Sequence, residues 1–405
     1  MTISINVASA IKQPRTGVEE YTYQLLKHLT MLPEAREHRF LLYIPDTDTP
    51  STKARFGTGQ ARIGTNNTNV FGFELPENFI VKELKWPMPM WTQIRLASEV
   101  VFNKPDALFI PVHVLPLAHP KNSVVTIHGL EYEYFPEMYP WWHRQYLRWS
   151  TRYAVRHARK IIAVSESTKR DLMKFYGADG SKICVVHHGY RLSEAPRSGT
   201  KSKANMYNPS TRPDAISGLA QGINFPYLLY IGRIELKKNI LGILEAYKIL
   251  KEKYKIPHQL VLVGHPGFGY ETIKLKIKNL LEINNWKLEI REVGYVAEDE
   301  KCCLFSNASL FLFPSYYEGF GMPILEAQAV GVPVITSNIS SMSEVAGDSA
   351  LLVSPKNPEQ IAKAVYKLVD DKAARDKLIE LGYENVKRFS WEKCAKETIR
   401  ILLED

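Results

Sequence analysis

Short runs rich in branched aliphatic residues recur along this chain, with helical segments between them. "ISINVASA", "FLLYI" at Phe40–Ile44, "ALFIPV", "SVVTIHG", "KIIAVS" and "KICVVHHG" form one series. After the first run comes the loop "IKQPRTG", and then Val18, Tyr21, Leu25 and Leu29 recur at helical spacing. Strand, glycine-bearing loop and helix together open a Rossmann-type unit. Runs without polar alternation, each followed by a helix, demand a parallel sheet covered on both faces. The series stops between Leu192 and Pro226, where "SEAPRSGTKSKANMYNPSTRPDAISG" has no apolar periodicity. It restarts with "YLLYIG", "QLVLVG", "KLEIREVG", "SLFLFPS", "VPVITS" and "ALLVSP". The chain is therefore read as two doubly wound α/β domains, 1–205 and 223–386, joined by a linker at 206–222. A closing helix over 387–405 has Ser390 as its N-cap before "WEKCAKETIRILL". The polar stretch Pro45–Asn78 reads as one long loop.

A chain of 405 residues suits two domains, each able to bury a core of its own. Its 45% hydrophobic and 23% charged residues are those of a globular protein. No apolar run approaches the roughly 20 residues that span a bilayer. The start "MTISINVASAIKQPR" lacks a basic region followed by an apolar one, so no signal peptide is expected. Cys184, Cys302, Cys303 and Cys394 show neither metal-ligand nor redox spacing, which fits a reducing cytoplasm. The net charge of +9 calls for an anionic partner: nucleic acid, a phosphorylated substrate or a membrane surface. No nucleic-acid module is apparent. No strand runs into Gly-x-Gly-x-x-Gly, which disfavours a dinucleotide enzyme.

"YYEGFGMPILEAQAVGVPVI" sets Glu318 and Glu326 on either side of Gly319, Gly321 and Pro323. Pro323 suits the first turn of a helix, where its missing N–H costs nothing, and Gly331 suits the position after it. Glu318 then lies in the preceding loop and Glu326 inside the helix. Gly319 and Gly321 let the backbone turn and approach a ligand, and the N–H groups about Phe320, Gly321 and Met322 lie at a positive helix end. That is a phosphate site. Carboxylates on either side of it suit neutral polyols, since each accepts from vicinal hydroxyls. Phosphate flanked by polyols describes a nucleotide sugar. The bland alternative is a loop glutamate and a surface glutamate around an ordinary Gly-Pro turn.

The segment "PSYYEGFGMPILEAQAVGVPVITSNISSMSEVAGDSALLVSP" resembles the signature of the retaining GT-B glycosyltransferases of family 4 (group 1), and the likeness is densest from Tyr227 to Pro355. Ser343 departs from the pattern, where proline is frequent before "EVAG". The resemblance implies two Rossmann-like domains facing a cleft, the first for the acceptor and the second for the nucleotide sugar. The closing helix would pack back on the first. It implies that Glu318 contacts the transferred sugar and Glu326 the ribose hydroxyls. In "YIGRIELKKN", Arg233 and Lys238 would stabilise the leaving diphosphate, with Lys237 as the alternative lysine. His128, at the end of "TIH", would contact the donor sugar or the reacting centre, with His113 as the structural runner-up. Gly17 would let the backbone meet the donor phosphate. Backbone groups of Tyr295 and Val296 would read the base, and Leu304 would pack beside it or the ribose. No nucleophile is implied, and the leaving phosphate itself takes the acceptor proton along a front-face path. The expected chemistry is transfer of mannose from GDP-mannose to a saccharide or a lipid-diphosphate-linked saccharide during surface polysaccharide assembly, without cofactor or metal. A UDP-sugar-dependent glycosyltransferase of the same fold, a sugar-nucleotide epimerase and a non-catalytic nucleotide-binding protein are the alternatives that share this architecture. Asp46-x-Asp48 has a metal-binding spacing, but at the start of a polar loop it reads as solvated turn residues.

"YPWWHRQYLRWSTRYAVRHARK" carries Arg144, Arg148, Arg152, Arg156 and Lys160 at steps of four, interleaved with Trp141, Trp142, Tyr146, Trp149 and Tyr153. Steps of four drift about 40° on a helix, so the basic stripe winds. Two readings follow. Either the stripe touches anionic lipid or a lipid-diphosphate acceptor at the inner face of the plasma membrane, or it is solvated while the aromatics pack inward.

Overall fold

The computed structural model describes residues 1–13, 15–46, 70–85, 90–191, 226–284 and 289–404. The chain divides into two compact units, Met1–Gly189 with Phe389–Asp405, and Tyr190–Arg388. The expected linker at 206–222 and Asp48 lie outside the described residues.

The first unit holds a parallel sheet of β1 (Thr2–Asn6), β2 (Arg39–Pro45), β3 (Phe79–Leu84), β4 (Ala107–Ile110), β5 (Ser123–Ile127), β6 (Lys160–Ala163) and β7 (Ile183–Val185). Their order in space is β3-β2-β1-β4-β5-β6-β7. Strand β4 is buried at every position, as a strand covered on both faces must be. Strand β3 has no counterpart in the sequence reading. It is an edge strand, "FIVKEL", whose central residues are only partly buried, so its composition lacks the continuous apolar run that marks the inner strands. The helix Trp391–Leu403 belongs to this unit. Ser390 caps it by accepting from the Lys393 N–H at 3.0 Å, and Trp391 stacks on His188 with ring centroids 5.6 Å apart.

The second unit holds β8 (Tyr227–Ile231), β9 (Gln259–Val263), β10 (Ile290–Gly294), β11 (Leu310–Phe313), β12 (Val334–Ser337) and β13 (Ala350–Val353). They run parallel in the order β10-β9-β8-β11-β12-β13. Strands β8, β9 and β11 are buried throughout. In each sheet the chain first builds outward to one side and then returns to build on the other. The reversal falls between β1 and β4 in the first sheet and between β8 and β11 in the second. Two successive strands leave in opposite directions there, and a crevice opens at their carboxyl ends.

The helix Trp141–His157 turns the other way from the inward-aromatic reading. Its buried residues are Ser150, Thr151, Ala154 and Val155. Trp141 and Trp142 are 74% and 68% exposed, and Tyr146 and Trp149 also face solvent. Arg144 and Arg148 are held back against the unit, whereas Arg152 and Arg156 are exposed. Arg148 Nε meets Glu133 Oε1 at 3.0 Å, Arg144 Nε donates to the Tyr132 carbonyl at 2.9 Å, and Arg152 lies over the Tyr176 ring. The fully buried stripe of this helix is made of small residues, which allow close packing, and of its aromatics only Tyr153 packs partly against the core, beside Leu147.

Candidate active site

The crevice of the second sheet receives the loops that follow β8 and β11. The first carries Arg233, Lys237 and Lys238, and the second carries Glu318, Gly319 and Phe320. Asn239 joins them. With φ at +59° it stands in the left-handed region that asparagine tolerates. Its Nδ2 donates to the Pro314 and Pro355 carbonyls at 3.0 and 2.7 Å. Its Oδ1 accepts from the Gly242 N–H at 3.2 Å and caps the helix Ile240–Glu252. The Tyr316 N–H reaches the Lys237 carbonyl at 3.0 Å, so the two loops are also tied through their backbones.

Within this frame Lys238 Nζ stands 2.5 Å from Glu318 Oε1. The main chain of Glu318 is clasped by two serines. Ser340 Oγ accepts from its N–H at 3.2 Å and donates to its carbonyl at 2.7 Å. Ser341 Oγ lies 2.8 Å from the carbonyls of both Glu318 and Phe320. Lys237 turns into the unit beside Glu235, Nζ to Oε1 3.6 Å, and both are buried. Lys238 is therefore the lysine beside the loop carboxylate. Arg233 is exposed and has no ion-pair partner among the described residues; its carbonyl accepts from Tyr230 Oη at 2.7 Å.

Gly321, at φ +107°, opens the helix Met322–Ala329, and Pro323 stands in its first turn. A helix start leaves N–H groups without intrahelical acceptors and carries partial positive charge, which makes an anion cradle. Phe320 contributes its backbone here while its ring is buried, and Gly319 and Met322 are partly exposed. Glu326, one turn into the helix, is buried and bound to a cation that the sequence reading passed over. Lys301 Nζ lies 2.6 Å from Glu326 Oε2. Lys301 sits in the charged run "EDEK", which looks like a solvated helix start, and nothing in its spacing signals an inward direction.

Val296 and Leu304 are core residues, and the Leu304 carbonyl accepts from Tyr227 Oη at 2.7 Å. Tyr295 is half exposed and stacks on His265, with centroids 5.0 Å apart and planes 12° apart. That pair was not legible in the sequence either, because the two rings follow different strands.

In the first unit, Gly17 is exposed at the start of the helix Gly17–Leu29. Glu19 Oε2 accepts from the Thr16 N–H at 3.1 Å, and Glu19 Oε1 meets Lys12 Nζ at 2.6 Å. His113 and His128 follow β4 and β5. The His128 N–H donates to His113 Nε2 at 3.3 Å. His128 Nε2 donates to the Pro111 carbonyl at 2.8 Å, which leaves Nδ1 as the acceptor of a neutral ring. Tyr21, His188 and His113 surround His128 at 4.7, 5.5 and 5.6 Å between centroids. Burial pushes its pKa down to about 3, His113 adds to the fall, and the Pro111 carbonyl opposes it. Burial likewise lowers His113 to about 4. His128 is thus a neutral hydrogen-bonding group near pH 7 and not a proton donor. Among the described residues, no three His, Cys, Asp or Glu side chains gather to hold a metal ion.

Two parallel α/β units with crevices at their strand-order reversals define the GT-B architecture of nucleotide-sugar transferases. Solved structures agree in fold over nearly the whole chain. Anabaena HepE in complex with UDP-glucose matches with a TM-score of 0.65 at 16% identity, covering 98% of this chain and 99% of that one. WaaG, a glycosyltransferase involved in lipopolysaccharide biosynthesis, matches with a TM-score of 0.65 at 14% identity over the full length of both chains. The profile "Glycosyltransferase Family 4" matches residues 15–194, and "Glycosyl transferases group 1" matches residues 219–385. The chain belongs to this family of glycosyltransferases. The O-antigen chain mannosyltransferase B of Escherichia coli is 27% identical over 96% of both chains. The O-antigen chain mannosyltransferase RfbU of Salmonella typhimurium is 25% identical over 68% of this chain and 70% of its own.

Proposed function

We propose that this glycosyltransferase moves a mannosyl residue from GDP-mannose to a saccharide or lipid-linked saccharide acceptor, with retention of anomeric configuration, in the assembly of a surface polysaccharide. The observation that carries the choice of sugar is the end-to-end likeness to an O-antigen mannosyltransferase. The residues that perform the step are those at the strand-order reversal of the second unit. The C1–O bond to the diphosphate breaks as the acceptor oxygen bonds C1 on the same face. The acceptor proton passes to the leaving phosphate, and GDP is the second product.

The charge that develops on the leaving diphosphate is met by Lys238, by Arg233 and by the N–H groups at the start of Met322–Ala329. An ammonium has three N–H donors, so Lys238 can keep Glu318 while it binds phosphate. Glu318, fixed through its main chain by Ser340 and Ser341, holds the sugar hydroxyls and balances positive charge at C1. Glu326 holds the ribose diol. Taken by itself, the first unit offers His128 Nδ1 as an acceptor for a sugar hydroxyl and the helix start at Gly17 as a site for phosphate. Tyr295, Val296 and Leu304 line the base. No cofactor or metal takes part.

The test is product analysis by NMR after incubation with GDP-mannose, UDP-glucose or UDP-galactose and a panel of lipid-linked saccharides. Retained configuration with mannose supports the reading. Turnover of donor without acceptor points to an epimerase, and transfer only from a UDP-sugar moves the assignment of the donor.

The outward rings of Trp141–His157 favour one further element, contact with an anionic bilayer from the cytoplasmic side. Trp and Tyr prefer the membrane interface, and this helix leaves Arg152 and Arg156 exposed and has no acidic residue of its own. Vesicles containing phosphatidylglycerol should sediment the wild type and not the double variant Trp141→Glu/Trp142→Glu. Equal sedimentation of both, or none of either, removes the membrane contact and leaves the transferase reading intact.

A further inference from the structure

We infer that Lys301 is a positioning residue for donor binding, which holds the Glu326 carboxylate ionised and oriented for the ribose diol. The inference rests on the reading of Glu326 as the ribose-binding carboxylate and extends it to a residue on a different helix.

Glu326 lies in the helix Met322–Ala329 between Leu325 and Ala327, both fully buried, and is itself 5% exposed. A carboxylate in such surroundings tends to take up a proton and become neutral. A neutral carboxyl is a poor partner for two vicinal hydroxyls, because its protonated oxygen donates instead of accepting. Lys301, from the helix Glu298–Ser306, removes that difficulty. Its Nζ lies 2.6 Å from Glu326 Oε2, and the two side chains are 13% and 7% exposed. A close buried cation favours the charged form of the carboxylate and fixes one of its oxygens in space.

Such a pair is an expensive way to hold two helices together, since desolvation of both charges offsets most of their attraction. Apolar packing would serve better, and the same helix already supplies it through Cys302, Leu304 and Phe305, all buried. The pair is also placed where a ligand would use it. Glu326 stands one turn beyond the helix start that forms the anion cradle. Leu304, one turn from Lys301, is the residue expected beside the base or ribose.

A chemical cycle separates this role from a structural one. GDP and 2′-deoxy-GDP differ by one hydroxyl of the diol, and their affinities are compared by calorimetry for the wild type, Lys301→Met, Lys301→Arg and Glu326→Gln. UDP and 2′-deoxy-UDP are measured alongside, so that the base does not decide the result. The wild type should prefer the ribonucleotide by about tenfold or more, as expected for a hydrogen bond to a charged group. Lys301→Met should shrink that preference to below about threefold, and Lys301→Arg should restore it. In steady-state kinetics, Lys301→Met should raise KM for the donor with little change in kcat.

If Glu326→Gln loses the preference while Lys301→Met keeps it, Lys301 has no part in positioning and the ribose reading stands. If the wild type shows no preference, or Glu326→Gln retains it, the ribose reading itself fails and takes this inference with it. Should Lys301→Met fail to fold, Lys301→Gln replaces it in the cycle. Collapse of Lys301→Gln as well, with Lys301→Arg folded, would overturn the inference in favour of a purely structural ion pair.

Discussion

Lys238 and Glu318 stand 80 residues apart in the chain, and 2.5 Å separates Nζ of the one from Oε1 of the other. Neither residue is positioned by its own loop alone. Asn239 stitches the loop of Lys238 to Pro314, at the root of the loop that carries Glu318. If the pair acts as one unit in the transition state, its two members should not contribute independently. Lys238→Ala and Glu318→Ala should each lower kcat by about 10²–10³, the usual loss for one group that meets developing charge. The double variant should fall little further than either single one, which a kinetic double-mutant cycle reads directly. Multiplied losses would show that the ion pair has no catalytic meaning.

Asn239→Asp should separate cap from clamp. The carboxylate can still accept from the Gly242 N–H, but it cannot donate to the Pro314 and Pro355 carbonyls. Two buried acceptors lose their donors, so urea unfolding should show a loss of about 2–4 kcal/mol. Activity should fall more than stability alone explains, because the Lys238 and Glu318 loops are no longer tied at this point.

Gly321→Ala places a side chain where φ is +107°, with the new Cβ 3.3 Å from Ile324 Cδ1. The backbone should rotate away at a cost of about 1–2 kcal/mol. The N–H groups of the anion cradle move with it. The affinity for GDP, measured by calorimetry, should drop at least as much as the melting temperature suggests, while a wild-type affinity would remove the cradle from the donor site.

Acid should unfold the first unit early. His128 and His113 titrate at about 3 and about 4 in the folded chain, and burial is the main cause for both. Unfolded histidine titrates near 6.5. Below that pH the unfolded chain binds protons that the folded chain refuses, so stability falls as pH drops from about 6.5 towards 4. Above about 6.5 these two groups contribute no slope. The loss should reach about 1.4 kcal/mol per pH unit for each histidine. His113→Gln should flatten the curve, and an unchanged slope would assign the acid sensitivity elsewhere. The other groups packed here are His188, which burial also holds well below its usual range, and Tyr21 and Cys394, whose pKa values burial raises.

The sequence by itself determined the two parallel sheets, since unbroken aliphatic runs alternating with helices have no other stable arrangement. It also determined the Gly-Pro start of Met322–Ala329, because proline and glycine act through their own backbone angles. Glu318, Glu326 and the basic loop before Asn239 were legible in the same local way. Lys238 was preferred to Lys237 for its place directly before Asn239, and the Asn239 bridge ties that loop to the one that carries Glu318. Lys301 lay hidden in an acidic run, because its partner is on another helix. The direction of Trp141–His157 could not be read from residue types either. Aromatics are usually buried and arginines exposed, yet here the small residues of the helix took the core face, and Glu133 drew Arg144 and Arg148 back against the unit. Local chemistry fixes an element and its turns, whereas the partner of a long side chain is decided by whatever the rest of the fold brings within reach.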